Sequence, residues 1–142
     1  MSAAVTAADI ARQWLGTPYH HQARLPFVGL DCIGLLICAA RALGHVPPDF
    51  NVTGYRRVPD GFSLMRHMRE QFTQIEQAEM APGDYVCLAF DKHPHHVGII
   101  GAYPLGGLSL IHANSRAGRV EECRLVFSEA MRFVGAFRKV VA

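Results

Sequence analysis

An α+β fold, with helices in the first half of the chain and an antiparallel sheet in the second, is predicted by three observations. Apolar residues recur at three- and four-residue steps in separate segments up to residue 76. From residue 85 the pattern changes to short runs rich in Val, Ile, Leu and aromatics. Those runs are separated by Gly, Pro, Asn and Ser. Helices followed by strands segregate into layers, whereas alternating βαβ units would build a parallel sheet.

The first helix is expected in "TAADIARQWLG". Thr6 can cap it with Asp9 three residues on, Ile10 and Trp14 share a face, and Gly16 stops it. "GTPYHHQARLPFVG" has no period and reads as a loop. From Asp31, an N-cap residue type, Ile33, Leu36, Ile37, Ala40 and Leu43 form a helical stripe that Gly44 closes. Cys32 is then the first helical residue, at the positive end of the helix.

Residues 45–60 hold three prolines and read as an irregular connection, with the arginines of "YRRVP" as solvated loop charge. "SLMRHMREQFTQIE" places Leu64, Met68, Phe72 and Ile75 on one stripe of an amphipathic helix. After the turn "APGD", the segments "YVCLAF", "HVGIIGAY", "LSLIHAN" and "RVEECRL" read as an antiparallel meander. "SEAMRF" is expected to make one helical turn before a last strand "VGAFRKVV".

At 142 residues, half of them apolar, the chain is expected to form one compact domain over 1–142. A formal charge of +2 with scattered basic residues argues against nucleic acid. The amino terminus lacks a basic stretch followed by an apolar core, and no apolar run approaches the roughly 18 residues of a membrane span. A chain made in the cytosol without a signal peptide or membrane insertion is therefore expected. The four cysteines, Cys32, Cys38, Cys87 and Cys123, form no CxxC pair and should be free thiols in a reducing compartment.

A thiolate attacks carbonyls, and a helix N-terminus together with a nearby imidazolium depresses a cysteine pKa. Cys32 has the first of these. The second must come from the strands, where His96 and His112 lie sixteen residues apart. An odd-length loop or a bulge near "PLGG" puts both on one face, so that His96 serves as base and His112 orients it. A two-residue loop puts them on opposite faces. His95 should point away from His96.

The blander reading is that each histidine is a satisfied polar residue and each cysteine a small buried hydrophobe. Cys38, about 240 degrees around the helix from Cys32, is read as core, as are Cys87 and Cys123. A metal site built from "HPHH" and His112 has the imidazoles but no H-E-x-x-H motif or cysteine pair beside them. Neither a metal nor another cofactor is called for.

"GTPY", "DCIGLL", "PGD", "HHVGII", "IHA" and "GAFR", in this order, resemble the NlpC/P60 cell-wall cysteine peptidases. The likeness is strongest to the branch found in phage tails and phage-like gene transfer particles. It implies a papain-like core in which a nucleophile helix packs on an antiparallel sheet. It also implies Cys32 as nucleophile with its backbone N–H as oxyanion donor, His96 as general base and His112 as the orienting third residue. Tyr19 resembles an active-site tyrosine beside the nucleophile, and Asp31 a residue that helps bind the substrate amine.

The reaction so implied is hydrolysis of peptidoglycan stem peptides through a thioester, typically between D-glutamate and diaminopimelate. Ile33 departs from the resemblance, since many members carry serine there. The implied partners are peptidoglycan and the tip or hub proteins of a phage-like tail, which would deliver the enzyme to the wall during DNA entry. The alternatives are a tail-hub structural module of the same fold and a thiol acyltransferase.

Overall fold

A computed structural model describes residues 4–55, 63–90 and 96–140. The readings made for Arg56, Arg57, His93 and His95 lie outside the described residues.

Helix α1 covers Ala7–Arg12. Its start is a capping box: Thr6 Oγ1 accepts the Asp9 N–H, and Asp9 Oδ2 accepts the Thr6 N–H at 2.9 Å. It ends before Gly16, because residues 13–16 leave the helix as a turn and Gly16 takes a φ of +90°. The segment read as a plain loop contains a two-strand ladder, β1 (Arg24–Leu25) and β2 (Gly29–Leu30). A ladder this short has no apolar alternation by which a sequence would declare it.

Helix α2, Cys32–Ala42, is buried from Gly34 to Ala40 without a break. Leu35, Leu36 and Ile37 are each close to fully covered, worth roughly 1.5–3 kcal/mol apiece relative to exposure. The glycine in "DCIGLL" is required by packing. A Cβ at Gly34 would stand 2.2 Å from the Ala23 carbonyl oxygen, so only glycine lets the first turn of α2 approach the chain before β1 this closely.

Helix α3 covers Ser63–Gln71, and the expected continuation to residue 76 is not formed. Thr73–Ile75 is instead β3, paired antiparallel with β8. Phe72 still packs in the core, so the apolar step survives the change of backbone. Strands β4 (Tyr85–Ala89), β5 (His96–Ala102), β6 (Leu108–Asn114), β7 (Arg119–Arg124) and β8 (Arg132–Arg138) complete a six-stranded antiparallel sheet.

The order β3-β8-β4-β5-β6-β7 keeps the expected meander from β4 to β7. The last strand lies between β3 and β4, and the expected helical turn at 128–133 is a plain turn closed by Ser128 and Met131. Sheet and helices together are the α+β architecture expected from the sequence.

Both faces of the sheet are covered. Tyr85, Cys87, Val97, Ile99, Ile111 and Ala113 pack in the cluster that includes α1, α2 and α3. Val86, Leu88, Ile100 and Leu110 pack under the 125–133 segment through Leu125, Phe127, Met131 and Phe133. Strands buried on both sides read as continuous apolar runs, which is why "YVCLA" shows no alternation. Two arginine forks fasten the sheet: Arg12 ties α1 to Glu122 of β7, and Arg138 of β8 grips Asp84 in the turn before β4.

Candidate active site

Asp31 fixes the start of α2. It is 1% exposed, and each carboxylate oxygen takes two donors. Oδ1 accepts the Gly34 N–H at 2.7 Å, the N-cap bond, and an Arg24 N–H at 3.1 Å. Oδ2 accepts the Gln22 N–H at 2.7 Å and the Tyr55 hydroxyl. The lone-pair capacity of a carboxylate is thereby committed to the protein.

Arg24 and Tyr55 were not singled out by sequence reasoning. Arg24 also donates to Asn51 Oδ1, to the Ala23 and Val52 carbonyls and to Tyr55 Oη. A buried aspartate requires a cationic partner, but neither periodicity nor motif says which arginine it will be.

Cys32 follows as the first residue of α2, half-buried and facing a cleft of about 820 Å³. Tyr19, Asp31, Ile33 and His96 line the same cleft. Tyr19 is brought there by a bridge to Leu30, immediately ahead of Asp31, and by its N–H, which donates to the Gly118 carbonyl at 2.8 Å. The fold therefore gathers Tyr19, Asp31, Cys32 and His96 at one opening.

The environment of the thiol differs from the expected one. Burial pushes Cys32 up to about 12, and the Asp31 charge adds to the rise. The backbone of Val97, Ile33 and Cys32 itself pulls the other way without winning. The helix start alone does not offset this rise.

His96 opens β5 and is 7% exposed. The β5–β6 connection, 103–107, is odd in length and gives the register Ile99↔Ile111 and Ala102↔Leu108, so equal-parity positions of the hairpin share a face. The rings of His96 and His112 meet, with Nε2 of the first 2.7 Å from Nδ1 of the second. His112 lies outside the cleft lining and is 4% exposed, and burial holds it below the ordinary histidine value, against the opposing charge and hydrogen bond of Glu121.

Nε2 of His96 is thereby committed to His112. Thiol, imidazole and second imidazole are the parts of a Cys-His-polar arrangement for acyl transfer. Cys38 is buried in α2 with its thiol on the Arg24 carbonyl, Cys87 is fully buried, and Cys123 is half-buried at the rim of the second core cluster. Among the described residues no group of three or more His, Cys, Asp or Glu side chains could hold a metal ion, and no helix is long and apolar enough to cross a membrane.

No curated protein matches the chain. Among solved structures it is similar to NlpC2 from Trichomonas vaginalis, with 24% identity and a TM-score of 0.66 over 94% of this chain and 45% of that one. It resembles the NlpC/p60 domain of the peptidoglycan hydrolase SagA, with 22% identity and a TM-score of 0.60 over 94% of this chain and 99% of that domain. A Staphylococcus aureus protein described as similar to lipoprotein, NLP/P60 family, gives 18% identity and a TM-score of 0.64, with 96% of this chain and 41% of that one covered. The chain thus spans less than half the length of the two Trichomonas proteins it matches. These likenesses concern the fold, while the NlpC/P60 family itself matches residues 16–133, and the chain belongs to that family.

Proposed function

We propose that the protein is a cysteine endopeptidase that hydrolyses amide bonds in peptidoglycan stem peptides, with Cys32 as nucleophile, His96 as general base and His112 as the residue that orients it. The observation carrying this reading is the 2.7 Å bond between His96 Nε2 and His112 Nδ1, made by a histidine that shares a cleft with the first residue of α2. Family membership supplies the substrate class.

In the proposed reaction the Cys32 thiol gives its proton to His96 Nδ1, and the sulfur attacks the scissile carbonyl. The positive end of α2 favours the charge developing on sulfur and oxygen. The imidazolium then protonates the leaving amine, a thioester remains on Cys32, and water activated by neutral His96 releases the acid. Tyr19 meets the substrate at the cleft wall. Asp31 acts by placing Cys32, because its oxygens are already occupied.

The tail of a phage-like particle is the proposed place of action, a reading that rests on the motif resemblance. Purified sacculi incubated with the protein and with Cys32→Ala test the activity. New amino and carboxyl ends released by the first and not the second are expected. Equal release would remove the enzymatic reading and favour a structural tail module. Transfer of the acyl group to an added amine in preference to water would identify an acyltransferase.

A further inference from the structure

His112 has a second ring nitrogen, and the structure surrounds it. Glu121 stands directly opposite His112 in the β6–β7 ladder, with Oε1 3.5 Å from His112 Nε2. The Asn114 amide donates to the same Oε1 at 2.8 Å and holds it in place. Cys123 Sγ is 3.9 Å from that nitrogen. Among the described residues, the titratable groups facing His112 are thus His96 from β5, and Glu121 and Cys123 from β7.

The order of protons along this chain follows from the roles. To accept the Cys32 proton, His96 must present a bare Nδ1, so its own hydrogen sits on Nε2 and is donated to His112. His112 Nδ1 accepts it only in the tautomer that carries hydrogen on Nε2, and that hydrogen needs an acceptor. An ionised carboxylate accepts strongly, whereas a thiol sulfur accepts weakly. Glu121 is 29% exposed at its side chain and reaches the same nitrogen from the neighbouring strand.

We infer that Glu121 is a positioning residue, the fourth member of a Cys32–His96–His112–Glu121 relay, which holds His112 in the Nε2–H tautomer and through it orients His96. This rests on the roles given above to Cys32 and His96. When His96 takes the thiol proton, its positive charge is separated from Glu121 by a single neutral ring. The carboxylate then favours the ion pair through His112, without touching the substrate.

The test uses the full chain with 15N-labelled histidine. Long-range proton–nitrogen correlation spectra should show His112 as the Nε2–H tautomer in the wild type and in Glu121→Gln, which keeps an acceptor oxygen. Glu121→Ala should show mixed tautomers, and Cys123→Val should leave the wild-type pattern. On a stem-peptide substrate, Glu121→Ala should lower kcat by roughly 10–100-fold, by analogy with the outer partners that orient metal-bound imidazoles. KM should stay within about twofold and the pH–kcat bell should narrow, with Glu121→Gln recovering most of the loss, as expected for an effect confined to the transition state.

An unchanged tautomer and unchanged kcat in Glu121→Ala would overturn the inference, as would a tautomer shift in Cys123→Val alone. If the alanine variant does not fold, Glu121→Val, a residue suited to a strand and without an acceptor, carries the same test. A tautomer that depends on Glu121 in a protein that cleaves no stem peptide would support the positioning role and remove the peptidase reading, so the two failures are distinguishable.

Discussion

His96 Nε2 and His112 Nδ1 lie 2.7 Å apart, and His96 lines the same cleft as Cys32. Burial and the neighbouring Asp31 charge raise the Cys32 thiol to about 12, so in the proposed mechanism its ionisation at neutral pH depends on His96. Cys32 should therefore react with iodoacetamide at pH 7 about tenfold or more faster than Cys38, Cys87 or Cys123, all of which burial also raises. His96→Ala should abolish that lead and leave a Cys32 rate that climbs with pH throughout the range below 12. Mass spectrometry of the four cysteine peptides reads both. Four similar rates in the wild type would argue against the catalytic assignment.

Acid should destabilise the protein through His112. Burial holds its folded pKa below the unfolded value of about 6.5, while Glu121 opposes the shift. Between those two values the unfolded chain binds the proton more readily. Stability is therefore intact above about pH 6.5 and is lost as pH falls towards the folded pKa. Urea midpoints measured at pH 7.5 and pH 5 should fall on acidification, and His112→Gln should show a smaller fall. The carboxylate of Glu122, held low chiefly by its hydrogen bond from Arg12, loses its contribution only at still lower pH.

Arg24→Leu should cost roughly 3–5 kcal/mol, because it strands a buried carboxylate whose side chain is 2% exposed. Arg24→Leu combined with Asp31→Asn should cost less than Arg24→Leu alone, since asparagine keeps the N-cap and removes the charge. Chemical denaturation of the single and double variants gives the coupling directly. Additive costs would mean that Arg24 matters to the fold for reasons other than Asp31.

What the sequence made legible was whatever local rules control. Asp31 and Gly44 bracket α2, the turn at 81–84 begins the meander, and the like parity of His96 and His112 becomes a shared face once the connecting loop has odd length. Arg24 and Tyr55 escaped because they meet Asp31 only after the chain folds back between β1 and the segment before residue 56. β3 escaped because Ile75 continues the helical spacing of Leu64, Met68 and Phe72, and the pull of a neighbouring strand overrode that local preference. Glu121 could have been found. Once β6 and β7 are paired through the turn at 115–118, it falls opposite His112.

The family match stops at residue 133, one residue beyond the first of β8. That strand runs on to Arg138, pairing with β3 on one side and β4 on the other, and its Phe137 is wholly buried against the helix layer. Similarity alone would therefore draw the unit's frontier through the middle of its sheet. A polypeptide trimmed there would expose the long flank of β4 as a sticky margin open to other chains. For anyone excising or grafting this unit, the safe cut lies beyond Arg138.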